Sequence, residues 1–194
     1  MKEDILEQLV DDYLQFRGYF TTANVKFKPR PDHPDFVKKE DSVASDIDVV
    51  AINPRLRGPQ RVWAVSCKSW QAGFNVRSKL SEIREGKRRS GRDVRKGFRE
   101  LVFPKWSEAF CDRVHELTGS RSFTYVTAVT SVRGDRSDWT SHPPFVSALG
   151  GNPIALITLT DMLEEMIPEL GTTVAGSSLG RTLQLLKAAD VIGG

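Results

Sequence analysis

A chain of 194 residues, 39% hydrophobic and 27% charged, is sized for one domain whose core needs no disulfide or metal staple. No apolar run approaches the roughly 20 residues that cross a bilayer, and the acidic N-terminal stretch lacks a basic-then-apolar leader pattern, so no membrane partner is expected. Cys67 and Cys111 stand far apart outside any CxxC and the three histidines are scattered, which fits a reducing cytoplasm and argues against a zinc site.

Lys2 to Phe16 is expected to form an amphipathic helix. Ile5, Leu6, Leu9, Val10, Tyr13 and Leu14 recur at helical spacing, and Gly18 follows as a stop. Glu7 sits at one flank of that stripe, a position that faces either a cleft beside a sheet or water. Gly18-Tyr19-Phe20 to Phe27 reads as a strand, and Lys28 to Asp41, with three prolines, as a long loop. Two Val- and Ile-rich runs follow, Ile47–Ile52 and Val62–Val65, separated by Asn53-Pro54 and Gly58-Pro59. That spacing predicts a hairpin.

Alternation along its strands puts Asp46, Asp48, Val50 and Ile52 on one side, and Val62, Ala64, Ser66 and Lys68 on one face of the partner. A plain antiparallel register brings Asp48 near Ser66 and Lys68. An acid and a lysine at the open end of an apolar hairpin form either a satisfied ion pair at a sheet rim or a working site.

Beyond a turn at Gln71–Asn75, Val76 to Glu100 reads as mostly helical with a break at Ser90-Gly91, and Phe103 to Leu117 as a further helix stopped by Gly119. Ser122 to Ser131 is expected to be a central strand, Asp135 to Gly151 a loop, and Ile154 to Leu159 a short strand. A helix from Thr160 to Leu170, capped by Thr160 or Asp161, and a last helix after Ser177-Ser178 complete the chain. The order α-β-β-β-α-α-β-β-α-α predicts an α/β fold, a mixed sheet flanked by helices in a single domain over 1–194.

Net charge is only +3, but its distribution is uneven. Arg84, Lys87, Arg88, Arg89, Arg92, Arg95, Lys96 and Arg99 crowd one stretch against Glu85 and Asp93 alone. Such a block is either a solvated helix face or the electrostatic footprint of a nucleic-acid partner. Phosphodiester cleavage needs a nucleophilic water, neutralised charge at phosphorus and help for the leaving oxygen. Mg²⁺ supplies much of this from a few carboxylate and carbonyl oxygens. The hairpin offers Asp48 as a hard ligand, the Cys67 backbone carbonyl as a second, and Lys68 as the cation that holds water or stabilises developing charge. Ser66 stands where another acid would be convenient, and the following helix offers Glu82, with Glu85 in reserve.

These residues resemble the PD-(D/E)xK nucleases, the restriction endonuclease-like superfamily. Glu7 with Gly18-Tyr19-Phe20 resembles the first-helix glutamate and the entry to the first strand. Asp46-Ile47-Asp48-Val49-Val50 resembles the (D/E)-I-D-hydrophobic signature, with Asp48 on the metal and Asp46 auxiliary. Ser66-Cys67-Lys68 resembles the ExK position without its acid. One branch of restriction enzymes carries (S/T)-x-K and recovers the acid from the next helix, which implies Glu82 here. The resemblance covers roughly residues 1–85. It implies a restriction endonuclease-like α/β fold and a Mg²⁺-dependent endonuclease, with Mn²⁺ able to substitute, acting on double-stranded DNA in restriction, defence or repair. Relatives of this size often act as homodimers. The alternative is a fold relative that binds nucleic acid or a protein partner without cutting.

Overall fold

The computed structural model describes residues 4–173 and 175–192. The first apolar stripe coils into α1 (Ile5–Phe16), which buries Leu6, Leu9, Val10, Tyr13 and Leu14. Asp4 caps it by accepting from the Leu6 N–H. The turn expected from Lys2 and Glu3 lies outside the described residues. Gly18, in the left-handed region at φ 81°, then reverses the chain into β1 (Phe20–Phe27).

β1, β2 (Ser45–Ile52) and β3 (Val62–Lys68) form an antiparallel meander. β4 (Thr124–Val129) and β5 (Ile154–Thr158) extend it in parallel, so the five-stranded mixed sheet runs β1-β2-β3-β4-β5. The crossover from β3 to β4 carries α2 (Val76–Glu85) and α3 (Pro104–Thr118). After β5 come α4 (Leu159–Met166) and α5 (Ser178–Ala188).

Helices cover both faces, so β3 and β4 are buried almost continuously instead of alternating. On one face α1, α4 and α5 pack Leu9, Val10, Met162 and Leu183 over Val49, Ala51, Val65 and Val126. On the other, Ile83, Phe110, Trp139 and Phe145 pack over Val50, Ala64 and Tyr125. The expected α/β class and the order of the main elements stand. Alternation along β2 breaks at Asp48, because Ile47 and Val50 lie in the same apolar layer.

Four segments depart from the sequence expectation. Val76–Glu100 is not one broken helix: Gly86, at φ 62°, ends α2 after Glu85. A two-stranded ribbon (Arg88–Arg89 with Arg92–Asp93), a 3₁₀ turn (Val94–Phe98) and a short helix (Arg99–Val102) follow. The 28–41 loop ends in a helical turn, Lys38–Asp41, fixed by the buried Asp41, which accepts from Lys105 Nζ at 2.6 Å and Trp106 Nε1 at 3.1 Å. Residues 135–151 contain two short helices, Ser137–Thr140 and Pro143–Ala148. The cap of α4 is Thr158, not Thr160 or Asp161. Its hydroxyl takes the Asp161 N–H while the Asp161 carboxylate takes the Thr158 N–H, a capping box that starts the helix earlier.

Candidate active site

The β2–β3 ladder runs from Ile52–Val62 to Val49–Val65 and ends there. Ser66, Cys67 and Lys68 stay paired with Thr127, Ala128 and Val129 of β4, so their backbone is held from one side only. On the opened side the Asp48 carboxylate accepts from the Cys67 N–H at 2.5 Å, replacing a ladder bond. N–H and C=O of one strand residue point to the same edge, so the Cys67 carbonyl also faces this opening.

Burial is the main influence raising the Asp48 carboxyl above its ordinary range. Lys68 and the Cys67 N–H pull it down, while Glu100 and Asp46 push it up again. Glu7, reaching in from α1, is likewise raised, first by burial and then by Asp48. A helix and two strands thus bring Glu7, Asp48 and Lys68 into one electrostatic neighbourhood. Asp46 lies in it too, but its carboxylate is paired with Lys26 of β1 at 2.6 Å.

Lys68 Nζ donates to Ser66 Oγ at 2.7 Å and lies 5.5 Å from the Phe98 ring centroid. The Ser66 hydroxyl also influences the nearby Tyr125, whose own hydroxyl donates to Glu100 Oε1 at 2.6 Å. Tyr125 is wholly buried, and burial together with Glu100 pushes its phenol well above the usual value. Two hydrogen bonds, Lys68 to Ser66 and Tyr125 to Glu100, thus border one polar neighbourhood that reaches from β3 to a buried glutamate beyond the basic block. Sequence reasoning missed Glu100. The available signal was an acid set between Phe98 and Leu101, two apolar residues that the fold buries.

Glu82 does not fill the place expected of it. It is buried, but Lys79 Nζ donates to its Oε2 at 2.9 Å, and the Arg89 guanidinium takes Oε1 through both Nε, at 2.7 Å, and Nη2. Burial opposes its charge, yet these bonds hold the carboxyl below its usual range. An acid already neutralised by two cations has little left to offer a metal. Glu85 is exposed and accepts from the Ser81 hydroxyl of its own helix.

The basic block is also divided. Arg89 is spent on Glu82, Arg95 on Asp93 at 2.6 Å, and Arg99 stacks on Trp106 at 4.3 Å. Arg88 lies in the field of Asp93. Arg84, Lys87, Arg92 and Lys96 make no ion pair among the described residues.

Among the described residues, no three His, Cys, Asp or Glu side chains converge as a ready-made metal cage. The opened edge offers hard oxygens from Asp48 and the Cys67 carbonyl, and the charge of the buried Glu100 bears on Asp48. Magnesium accepts such a sparse set because it keeps several of its waters, so the residue types fit. Compared with protein-family models, curated proteins and solved structures, the chain matches none. No helix among the described residues is long and apolar enough to cross a membrane.

Proposed function

We propose that the chain is a magnesium-dependent phosphodiester hydrolase of the PD-(D/E)xK, restriction endonuclease-like kind, cutting double-stranded DNA internally in restriction, defence or repair. The observation that carries this reading is the charge imbalance at the opened end of β2–β3. Asp48 feels Glu100 and Asp46, Glu7 feels Asp48, and Lys68 is the cation that answers both Asp48 and Glu7. Surplus buried negative charge beside a lysine is costly to keep and suits a divalent cation. A first-helix glutamate, a strand aspartate and a lysine on the next strand also follow the order the resemblance requires.

Asp48, Glu100 and the Cys67 carbonyl would hold Mg²⁺ or Mn²⁺, which supplies Lewis acidity and a more acidic water. The chain's own work is then positional. Lys68, aimed by Ser66 and Tyr125, holds the attacking water or steadies charge developing on the phosphoryl oxygens. Glu7 borders the same space from α1 and orients water there. Glu100 takes the part of the acid missing at Ser66.

Incubating the protein with supercoiled plasmid and Mg²⁺ tests this. The wild type should nick or linearise the plasmid, while Asp48→Ala and Lys68→Ala should not. No cutting by the wild type across supercoiled, linear and single-stranded DNA, with Mg²⁺ or Mn²⁺, would sink the reading. Ser66 in the acid position and the basic stretch from Arg84 to Arg99 favour a second reading, a nucleic-acid-binding module without catalysis. Calorimetric Mg²⁺ binding that Asp48→Ala abolishes would remove it.

A further inference from the structure

The stretch Lys87–Asp93 contains no apolar residue, so burial cannot explain why it is folded. It nevertheless forms a ribbon: Arg88 pairs with Asp93 and Arg89 with Arg92, and the Val94 N–H closes on the Lys87 carbonyl at 3.0 Å. Ser90 and Gly91 both take positive φ, 48° and 76°, the signature of the tight hairpin turn that suits strand twist. A two-stranded hairpin is marginal by itself. Polar anchors at its base hold this one.

The strongest anchor is Glu82. Its side chain is 4% exposed, whereas its partner Arg89 is 64% exposed, so a buried acid fixes a surface arginine. The Glu82 carbonyl also takes the Lys87 N–H at 2.9 Å. On the return leg, Arg95 is clamped by Asp93 and its guanidinium lies so close to Gly86 that a β-carbon there would meet it at 3.0 Å. What the ribbon presents outward is cationic: Lys87, Arg88 and Arg92 are exposed. Its return leg runs directly to Phe98, against Lys68, and to Glu100.

We propose that residues 87–94 are a cationic β-ribbon that enters a groove of duplex DNA beside the bond to be cut, and that Glu82 is the positioning residue that sets its angle. The part about the bond rests on the hydrolase reading; the groove-binding part does not. A two-stranded ribbon fits the major groove, about 12 Å wide, and the exposed arginines reach phosphates and base edges from it. A carboxylate placed to hold a surface arginine in one orientation makes sense where that orientation selects a partner, because a ribbon free to swing loses more entropy on binding.

Fluorescence anisotropy with the full chain tests this, using a labelled duplex and its single strand over a salt series in EDTA. The duplex should bind more tightly than the single strand. Arg88→Ala/Arg92→Ala, both at exposed positions that the fold does not need, should lower duplex affinity about tenfold and reduce the slope of log K against log salt by about 2. Glu82→Gln and Arg89→Ala should each weaken duplex binding several-fold, and the double variant no further, because both disable one strut.

Equal affinity for the two DNA forms, or an unchanged salt slope in Arg88→Ala/Arg92→Ala, overturns the ribbon. Additive losses in Glu82→Gln/Arg89→Ala overturn the positioning role. With no divalent cation present, a chain that passes this assay but cuts nothing fails only the hydrolase reading. An active chain that fails it loses only the ribbon.

Discussion

Glu82, at the entry to the basic stretch, and Glu100, just past its exit, are both buried, yet their surroundings differ in kind. Around Glu82 the charge is balanced in favour of cations, with Lys79 and Arg89 on one carboxylate. Around Glu100 no ion pair forms among the described residues: a neutral phenol supplies its hydrogen bond, and its charge bears on Asp48. Burial therefore does not mark a working acid. A carboxylate with its counter-charges in place is finished as a structural element, while one left in a cluster of like charges still has something to bind.

The largest effect that tests this contrast is structural. Glu82→Ala strands Lys79 and breaks the base of the ribbon, so urea unfolding should show a loss of about 3–5 kcal/mol. A loss below about 1 kcal/mol would mean that the pair is not holding the fold. Next comes Glu100→Gln, which keeps an acceptor for Tyr125 but removes the charge. Plasmid cleavage should slow about 100-fold, equivalent to about 2.7 kcal/mol of barrier, with little change in melting. An undiminished rate would move the missing acid elsewhere and erase the distinction between the two glutamates.

A smaller effect, of opposite sign to the Glu82 loss, is expected at Asp48. Its folded-state pKa is raised, so its contribution to stability is present at low pH and is lost as pH rises through that value. Asp48→Asn keeps an acceptor for the Cys67 N–H and carries no charge. It should therefore melt about 2–4 °C higher than the wild type at pH 7, or about 1 kcal/mol more stable. The advantage should shrink as pH falls below the ordinary aspartate range. Glu82 has the reverse sign: its pKa is lowered, so its contribution is present at neutral pH and lost in acid. A scan in which Asp48→Asn melts lower than the wild type at neutral pH would contradict the picture of a strained acid cluster.

The smallest shift sharpens the same point. Magnesium at about twice its Kd should raise the wild-type melting temperature by about 1–3 °C and leave Asp48→Asn unmoved. An equal rise in both proteins would place the cation away from the opened edge.

The hairpin was legible because Val and Ile runs bounded by Asn53-Pro54 and Gly58-Pro59 leave few alternatives, although the period of two along β2 fails at Asp48. Its ladder pairs Val49 with Val65 and stops one residue short of Asp48 and Ser66. Less legible was where the ladder ends, since that depends on the Asp48 carboxylate displacing a backbone acceptor from the Cys67 N–H. The stretch after Glu85 misled for a local reason: arginine and lysine favour helix, and only the pairing of positive φ at Ser90 and Gly91 with a left-handed Gly86 turns their run into a ribbon.

The sequence by itself determined the layered α/β plan, because apolar periodicity is local and strong. Tertiary structure alone decided how the two buried glutamates are partnered. Glu82 and Glu100 are both acids on a helical turn near apolar neighbours, and no local rule separates them. The choice was made by distant groups, Arg89 from across the ribbon and Tyr125 from β4, whose positions exist only once the chain has packed.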